Sequence, residues 1–166
     1  MQRLHKALVA LGSSLIILTL LLGVPAGDTR AAYQAGTVPP NWIKGANMIG
    51  YAPDPYKIAN QHNTIASWKA TGGNAIAYAP RWFMDAPTST TIAPEASLGS
   101  PSDESIIAAI DEAHRQGLRV MLRPYLDVKD GSWRADITPS NVGAWFASYT
   151  AFMDHYLDIA KAHNVE

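Results

Sequence analysis

The sequence predicts an α/β fold, the opening part of a parallel (β/α)8 TIM barrel, and three observations predict it. Residues 118–134 join a short apolar stretch, Leu118-Arg119-Val120-Met121-Leu122, to a loop carrying Asp127, Asp130, Trp133 and Arg134. A helical pattern ends at Gly117 before this stretch, and another begins near Thr138 after it. Helix, apolar strand, polar-aromatic loop, helix is the repeating unit of such barrels, whose chemistry sits on the loops after the strands. About three of these units fit the sequence, whereas a complete barrel takes about 250 residues. The stretch therefore reads as a partial barrel, the front portion of an enzyme.

The chain has 166 residues, and its first segment stands apart from the fold. Arg3, His5 and Lys6 precede an uncharged stretch over residues 7–26 that contains Leu15-Ile16-Ile17-Leu18-Thr19-Leu20-Leu21-Leu22. Val24-Pro25-Ala26 fits a small-residue cleavage site, and Arg30-Ala31-Ala32 offers a second one that extends the segment to residue 32. Residues 1–26 are read as a secretory signal peptide. About twenty apolar residues also suffice to cross a bilayer, so an uncleaved anchor is the alternative. Either reading places the remainder outside the cytoplasm, secreted or tethered, with membrane contact only in the second. Residues 33–41 form a small, proline-containing lead-in, and residues 42–166 form the barrel portion.

The elements follow in order. Trp42 to Tyr51 reads as a first strand weakened by Gly45 and Gly50. Ala52-Pro53-Asp54-Pro55 is a turn, because each proline lacks an N–H and disfavours helix at the preceding residue. A helix from about Tyr56 to Ala70 follows, with Ile58, Ala59, Ile65 and Ala66 at helical spacing and Gly72-Gly73 as its stop. Asn74 to Ala79 is a second strand, apolar without alternation, as suits a parallel strand covered on both faces. Pro80 to Gly99 reads as a long loop, of a length that in compact domains tends to serve function or mobility. The next helix starts with Ser100 as cap, Pro101 at the first position and Asp103-Glu104 at the positive end of the dipole. Ile106, Ile107, Ile110 and Ala113 form its buried stripe, and Gly117 ends it. The last helix runs from about Pro139 to His163, with Val142, Trp145, Phe146, Tyr149, Phe152, Met153, Tyr156, Ile159 and Ala160 as the stripe that packs on a sheet.

Composition excludes several function classes. The absence of cysteine rules out disulfides and thiolate metal sites. A net charge of −1, with thirteen basic residues spread without a cluster, gives no footprint for nucleic acid. The histidines lack ligand spacing and read as surface or helix-packing residues, so no metal is assigned. The sequence holds neither a Gly-x-Ser-x-Gly elbow nor a phosphate loop.

The run Ala113 to Pro124, followed by Asp127, Asp130-Gly131-Ser132-Trp133-Arg134 and Trp145-Phe146-x-x-Tyr149, resembles secreted (β/α)8-barrel glycoside hydrolases of the family 113-like, mannanase-related group. Lys44-Gly45-Ala46-Asn47 and Pro80-Arg81-Trp82-Phe83-Met84 fit the same pattern. The resemblance implies hydrolysis of O-glycosidic bonds in a β-linked polysaccharide without a cofactor. It also implies an acid/base glutamate after the fourth strand and a nucleophile glutamate after the seventh. Neither strand lies among these residues, so no catalytic residue is assigned, and the chain is read as truncated before that pair and inactive alone. Tyr125 stands where members commonly carry histidine, which alters the subsite built there.

The residues assigned to substrate binding are Arg81, Trp82, Tyr125, Asp127, Trp133 and Arg134. Trp82 and Trp133 follow the second and third strands, where an indole face can stack on a sugar ring or plug the rim of the fold. Asp127, at the end of the third strand, either binds sugar hydroxyls or caps its loop. Arg81 and Arg134 either bind hydroxyls or hold acidic loop residues in place. Arg123 lies within a strand and requires a carboxylate partner if buried. Asp54, Asp85, Glu95, Asp130 and Asp136 are the remaining loop carboxylates, and Trp145 is read as core. The alternative function is a non-catalytic secreted carbohydrate-binding or scaffold protein.

Overall fold

Four-residue parallel strands and three helices build the fold, and the computed structural model describes residues 39–166. Residues 1–26, expected from the sequence to be a signal peptide or anchor, and most of the lead-in segment lie outside the described residues. Among those described, no helix is long and apolar enough to cross a membrane. In chain order the elements are β1 (Gly45–Met48), α1 (Ile58–Ala70), β2 (Ala75–Tyr78), β3 (Arg81–Met84), α2 (Asp103–Arg115), β4 (Arg119–Leu122), β5 (Tyr125–Val128) and α3 (Val142–Ala162). Short 3-10 turns stand at Ala96–Leu98 and Arg134–Asp136.

The strands pair in parallel as β1-β2-β4 and β3-β5. The register is the same above and below the break, with Ala75 opposite Arg119, Tyr78 opposite Leu122, Arg81 opposite Tyr125 and Met84 opposite Val128. Pro80 therefore faces Pro124, and neither can donate to a ladder. Arg123 N still donates to Tyr78 O at 2.8 Å and Tyr125 N to Pro80 O at 3.0 Å. The pairs β2/β4 and β3/β5 are thus one continuous pair of strands, interrupted at one level by two prolines. In barrel terms β1 is the first strand, β2 with β3 the second, and β4 with β5 the third.

This corrects the reading of Pro80–Gly99 as loop. Its first residues extend the second strand, and Phe83 exchanges both backbone hydrogen bonds with Ala93 at 2.9 Å. The segment folds back to occupy the edge of β3 that β5 leaves free, which satisfies N–H and C=O groups an open edge would expose.

Even-numbered strand residues face the helices. Ile76, Tyr78, Val120, Met84, Leu126 and Val128 are buried there against Ile65 of α1, Ile106, Ile110 and Ala113 of α2, and Phe152, Tyr156 and Ile159 of α3. The α2 stripe matches the sequence pattern. On α1 Ile65 is buried as the pattern predicts, but Ala59 and Ala66 are exposed and Gln61 is buried. On α3 the first turns depart from the stripe, with Val142 57% and Phe146 56% exposed.

Local chemistry sets the helix ends. The cap of α2 is Ser102, not Ser100: Ser102 Oγ accepts from Ser105 N at 3.3 Å. Ser100 is taken by the loop, where its hydroxyl donates to Arg81 O at 2.6 Å and accepts from Glu95 N at 2.7 Å. At the other end Gly117 adopts φ +75, and Leu118 N reaches back to Ala113 O at 3.0 Å. That left-handed turn closes the helix and feeds β4. Asn141 caps α3 through Ala144 N at 3.0 Å.

Candidate functional site

Odd-numbered strand residues face away from the helices, toward the side that forms a barrel's interior. At the C-terminal ends of the strands these are Arg81 and Phe83 on β3 and Tyr125 and Asp127 on β5. Register alone places Arg81 beside Tyr125 and Phe83 beside Asp127. Below them the same face carries Gly45, Asn47, Ala75, Ala77 and Met121, which line a depression of about 390 Å³.

Arg81 is the best-anchored of these side chains and is only 8% exposed. Its Nη1 stands 3.2 Å from Asp127 Oδ2, and its Nη2 donates to the Leu98 carbonyl. The guanidinium lies 4.7 Å from the centre of the Phe83 ring and 5.2 Å from that of Tyr51. A buried arginine requires this kind of compensation, because an unpaired charge in a dry site is costly. Gly99 makes the arrangement possible: at φ +97, a Cβ there would meet Tyr51 backbone at 3.1 Å and Arg81 Nη2 at 3.2 Å. Asp127 is a strand residue whose Oδ1 also accepts from Val128 N at 3.1 Å.

Tyr125 and Arg134 adjoin this pair. The Arg134 guanidinium stands 5.3 Å from the Tyr125 ring centre. Burial is the main cause that raises the Tyr125 phenol above its usual value, and Arg81 opposes the rise. Both line a cavity of about 490 Å³ together with Tyr51, Arg123, Trp145 and Tyr149. Tyr56 fixes the rim from below. Its hydroxyl donates to Met48 O at 3.1 Å and accepts from Ala79 N at 3.2 Å, joining the ends of β1 and β2.

The six assigned residues do not all meet. Arg81 and Asp127 pair, Tyr125 and Arg134 pack beside them, and Trp133 stands on the following loop, 70% exposed. Trp82 lies on the opposite face. Its ring centre is 5.2 Å from that of Phe152 and 5.1 Å from that of His155, both on α3. It packs between β3 and the helix and does not line the cavity. Arg123 is exposed, so the burial that would demand a partner does not arise, and among the described residues no carboxylate pairs with it. Trp145 is half-buried and stacks on Tyr149 at 5.1 Å with rings 10° apart, while lining the cavity. The sequence reading of Trp145 as core is correct only for part of its ring.

Of the other loop carboxylates, Asp54, Asp85, Glu95 and Asp130 are engaged structurally, whereas the Asp136 side chain is exposed. Asp54 accepts from the Ser102 hydroxyl at 3.1 Å and from Ser102 N at 3.4 Å. Asp85 and Glu95 clamp Lys129 at 2.9 and 3.6 Å. Asp130 Oδ1 accepts from Ser132 N at 2.8 Å, and that bond holds the carboxyl below its usual value. Glu112 on α2 receives Arg115, Gln116 and His62, and these bonds, Arg115 first, pull its pKa down to about 2. His155 and His163 likewise pair with Asp103 and Asp111 of α2 at 2.9 and 3.0 Å. Three histidines thus tie helices together, as their sequence context suggests. Among the described residues no group of three His, Cys, Asp or Glu could hold a metal ion.

Sequence reasoning missed Tyr51. The ring is 70% exposed yet stands over Arg81 and lines the cavity. Its only sequence signal is an aromatic residue just past the C-terminal end of a strand.

The family profile described as Glycoside Hydrolase Family 113 matches residues 52–166. Among solved structures, a GH113 β-1,4-mannanase superposes with a TM-score of 0.67 at 26% identity, over 75% of this chain and 43% of its own. A GH113 β-mannanase from Alicyclobacillus acidocaldarius in complex with ManMIm gives a TM-score of 0.68 at 26% identity, over 75% of this chain and 42% of its own. The chain therefore spans less than half the length of these relatives. No curated protein matches it.

Proposed function

The chain belongs to glycoside hydrolase family 113, and from that premise we propose that it forms the first-to-third-strand side of a saccharide cleft. The substrate class is β-linked polysaccharide of the mannan type, since the solved relatives are β-mannanases. One observation carries the reading: a buried arginine holds a carboxylate at the C-terminal ends of parallel strands, where barrel enzymes bind their substrates. In it, Asp127 accepts hydroxyl protons of the sugar, Arg81 fixes its direction, and Arg134 and Tyr125 border the ring.

Hydrolysis by two carboxylates requires one group to protonate the leaving oxygen and another to attack or activate water. The carboxylates around this cleft are already committed, Asp127 to Arg81, Asp130 to Ser132 and Asp85 to Lys129. In our reading, residues 1–166 bind saccharide without turning it over by themselves, and a catalytic pair comes from elsewhere. That commitment of the side chains equally favours the second reading, a non-catalytic carbohydrate-binding protein. We further propose that residues 1–26 direct secretion, cleaved at Ala26 or retained as an anchor.

The test is calorimetric titration of the purified chain with β-1,4-manno-oligosaccharides, beside an assay for reducing-end release. The expected result is binding without release. Asp127→Asn, which keeps the shape and removes the charge, should weaken binding about tenfold, as expected for loss of a charge-assisted hydrogen bond. Undiminished binding by that variant overturns the site, and release of reducing ends overturns the inactive reading.

A further inference from the structure

We propose that the cavity bordered by Arg123, Tyr125 and Arg134 receives a carboxylate, so that this protein prefers an acidic, uronate form of its β-linked saccharide to the neutral one. The inference rests on the saccharide reading above and adds to it the charge of the substrate. Among the described arginines, Arg81, Arg115 and Arg119 stand 3.2, 2.6 and 3.6 Å from the carboxylates of Asp127, Glu112 and Glu166. The other two, Arg123 and Arg134, have no carboxylate partner among the described residues. Both line the same cavity of about 490 Å³.

A single exposed arginine without a partner is ordinary, since water solvates it. Two on the wall of one cavity repel each other unless negative charge enters between them. No carboxylate lines this cavity among the described residues; its polar side chains are the two guanidiniums, Tyr51, Tyr125, Tyr149 and Trp145. Two of these residues also leave a buried group unpaired, the Tyr125 hydroxyl and the Trp145 Nε1–H, whereas buried polar groups are ordinarily hydrogen-bonded. Each of them can donate to an anionic oxygen. Asp127, the acid of the adjoining pair, is held by Arg81 and so does not supply the missing charge. Tyr125 connects the cavity to that pair, because it stands opposite Arg81 in the strand register. A sugar whose hydroxyls reach Asp127 is therefore placed to set a carboxylate against the guanidiniums. Arginine suits this role, since its planar fork matches the two oxygens of a carboxylate. A pyranose carries that group where C6 is a carboxylate in place of a hydroxymethyl group.

Titration of the chain with the hexasaccharides of β-1,4-linked mannose and of β-1,4-linked mannuronate tests this, because the two differ only in that group. The acidic sugar should bind about tenfold more tightly at low salt, and its advantage should shrink as sodium chloride is raised. Arg123→Gln combined with Arg134→Gln should bring the two affinities within about threefold. Both side chains are exposed, so the double variant should melt with the unmodified chain. Inorganic phosphate, titrated alone, separates the sources of the anion and should bind more weakly than the acidic sugar. Phosphate binding as tight as that of the acidic sugar would overturn the carboxylate-bearing saccharide in favour of a free anion. Equal affinity for the two hexasaccharides, or a preference that survives in the double variant, overturns the anion cavity and leaves the site at Asp127 standing. Failure of the unmodified chain to bind either sugar overturns both readings together.

Discussion

Replacing Trp82 by alanine separates the two faces of the strands most sharply. Sequence position makes Trp82 and Trp133 equivalent, each an indole beyond a strand, but the structure puts them in different environments. Trp82 is half-buried against Phe152, His155 and Tyr156, at ring separations of 5.2, 5.1 and 6.1 Å. Truncating a fully buried tryptophan costs about 3–5 kcal/mol, and aromatic pairs contribute about 0.5–1.5 kcal/mol each beyond area. Partial exposure lowers the total, so Trp82→Ala should destabilise by roughly 3 kcal/mol. For a folded unit of this size the unfolding entropy converts that to a fall in melting temperature of about 10 °C. Trp133→Ala should change stability by less than about 0.5 kcal/mol. Thermal melts followed by circular dichroism read both stability changes, and oligosaccharide titration well below the melt reads binding. Trp82→Ala should retain saccharide affinity. A variant that melts like the unmodified chain but has lost binding would refute the outward orientation of Trp82, and with it the face assignment of every strand residue.

The remaining expectations concern helix chemistry. The Glu112 carboxylate, ordinarily near 4.5, is held at about 2 by Arg115, Gln116 and His62. Its folded pKa is depressed, so its contribution is present above 4.5 and lost as pH falls toward 2. Glu112→Gln should therefore flatten the loss of stability of the unmodified chain between pH 4.5 and 2, which acid-titration melts will read. An unchanged acid limb would mean that these bonds do not outlast solvation. Ser102→Ala should cost about 1 kcal/mol as loss of a helix cap. Ser100→Ala should instead loosen the loop over Arg81 and raise amide exchange at Glu95, whose N–H its hydroxyl receives. Similar exchange in both variants would return the cap to Ser100.

Much of the fold is legible in the sequence because its signals are local. Apolar spacing locates α2, and Gly117 and the short apolar runs locate its end and β4. The family resemblance rests on motifs that survive in the linear order. The reading of Pro80–Gly99 fails for a non-local reason. Proline argues against a strand when the strand is considered alone, but Pro80 stands opposite Pro124, so both interruptions fall at one level and the pairing resumes beyond them. The capping error has a similar cause. Ser100 is as good a cap as Ser102 by residue type, and the folded loop, through Glu95 and Arg81, decides between them.

The sequence by itself determined that this is a parallel α/β chain with polar and aromatic residues at its strand ends, because periodicity and residue type act over a few positions. Tertiary structure alone decided which of those residues share a site. A strand turns successive side chains to opposite faces, so one position separates Arg81, which grips Asp127, from Trp82, which packs on α3. Without the register that fixes each face, the two are neighbours of equal standing. Tyr51 joins the site for the same reason: only the fold brings its ring over a guanidinium thirty positions later in the chain.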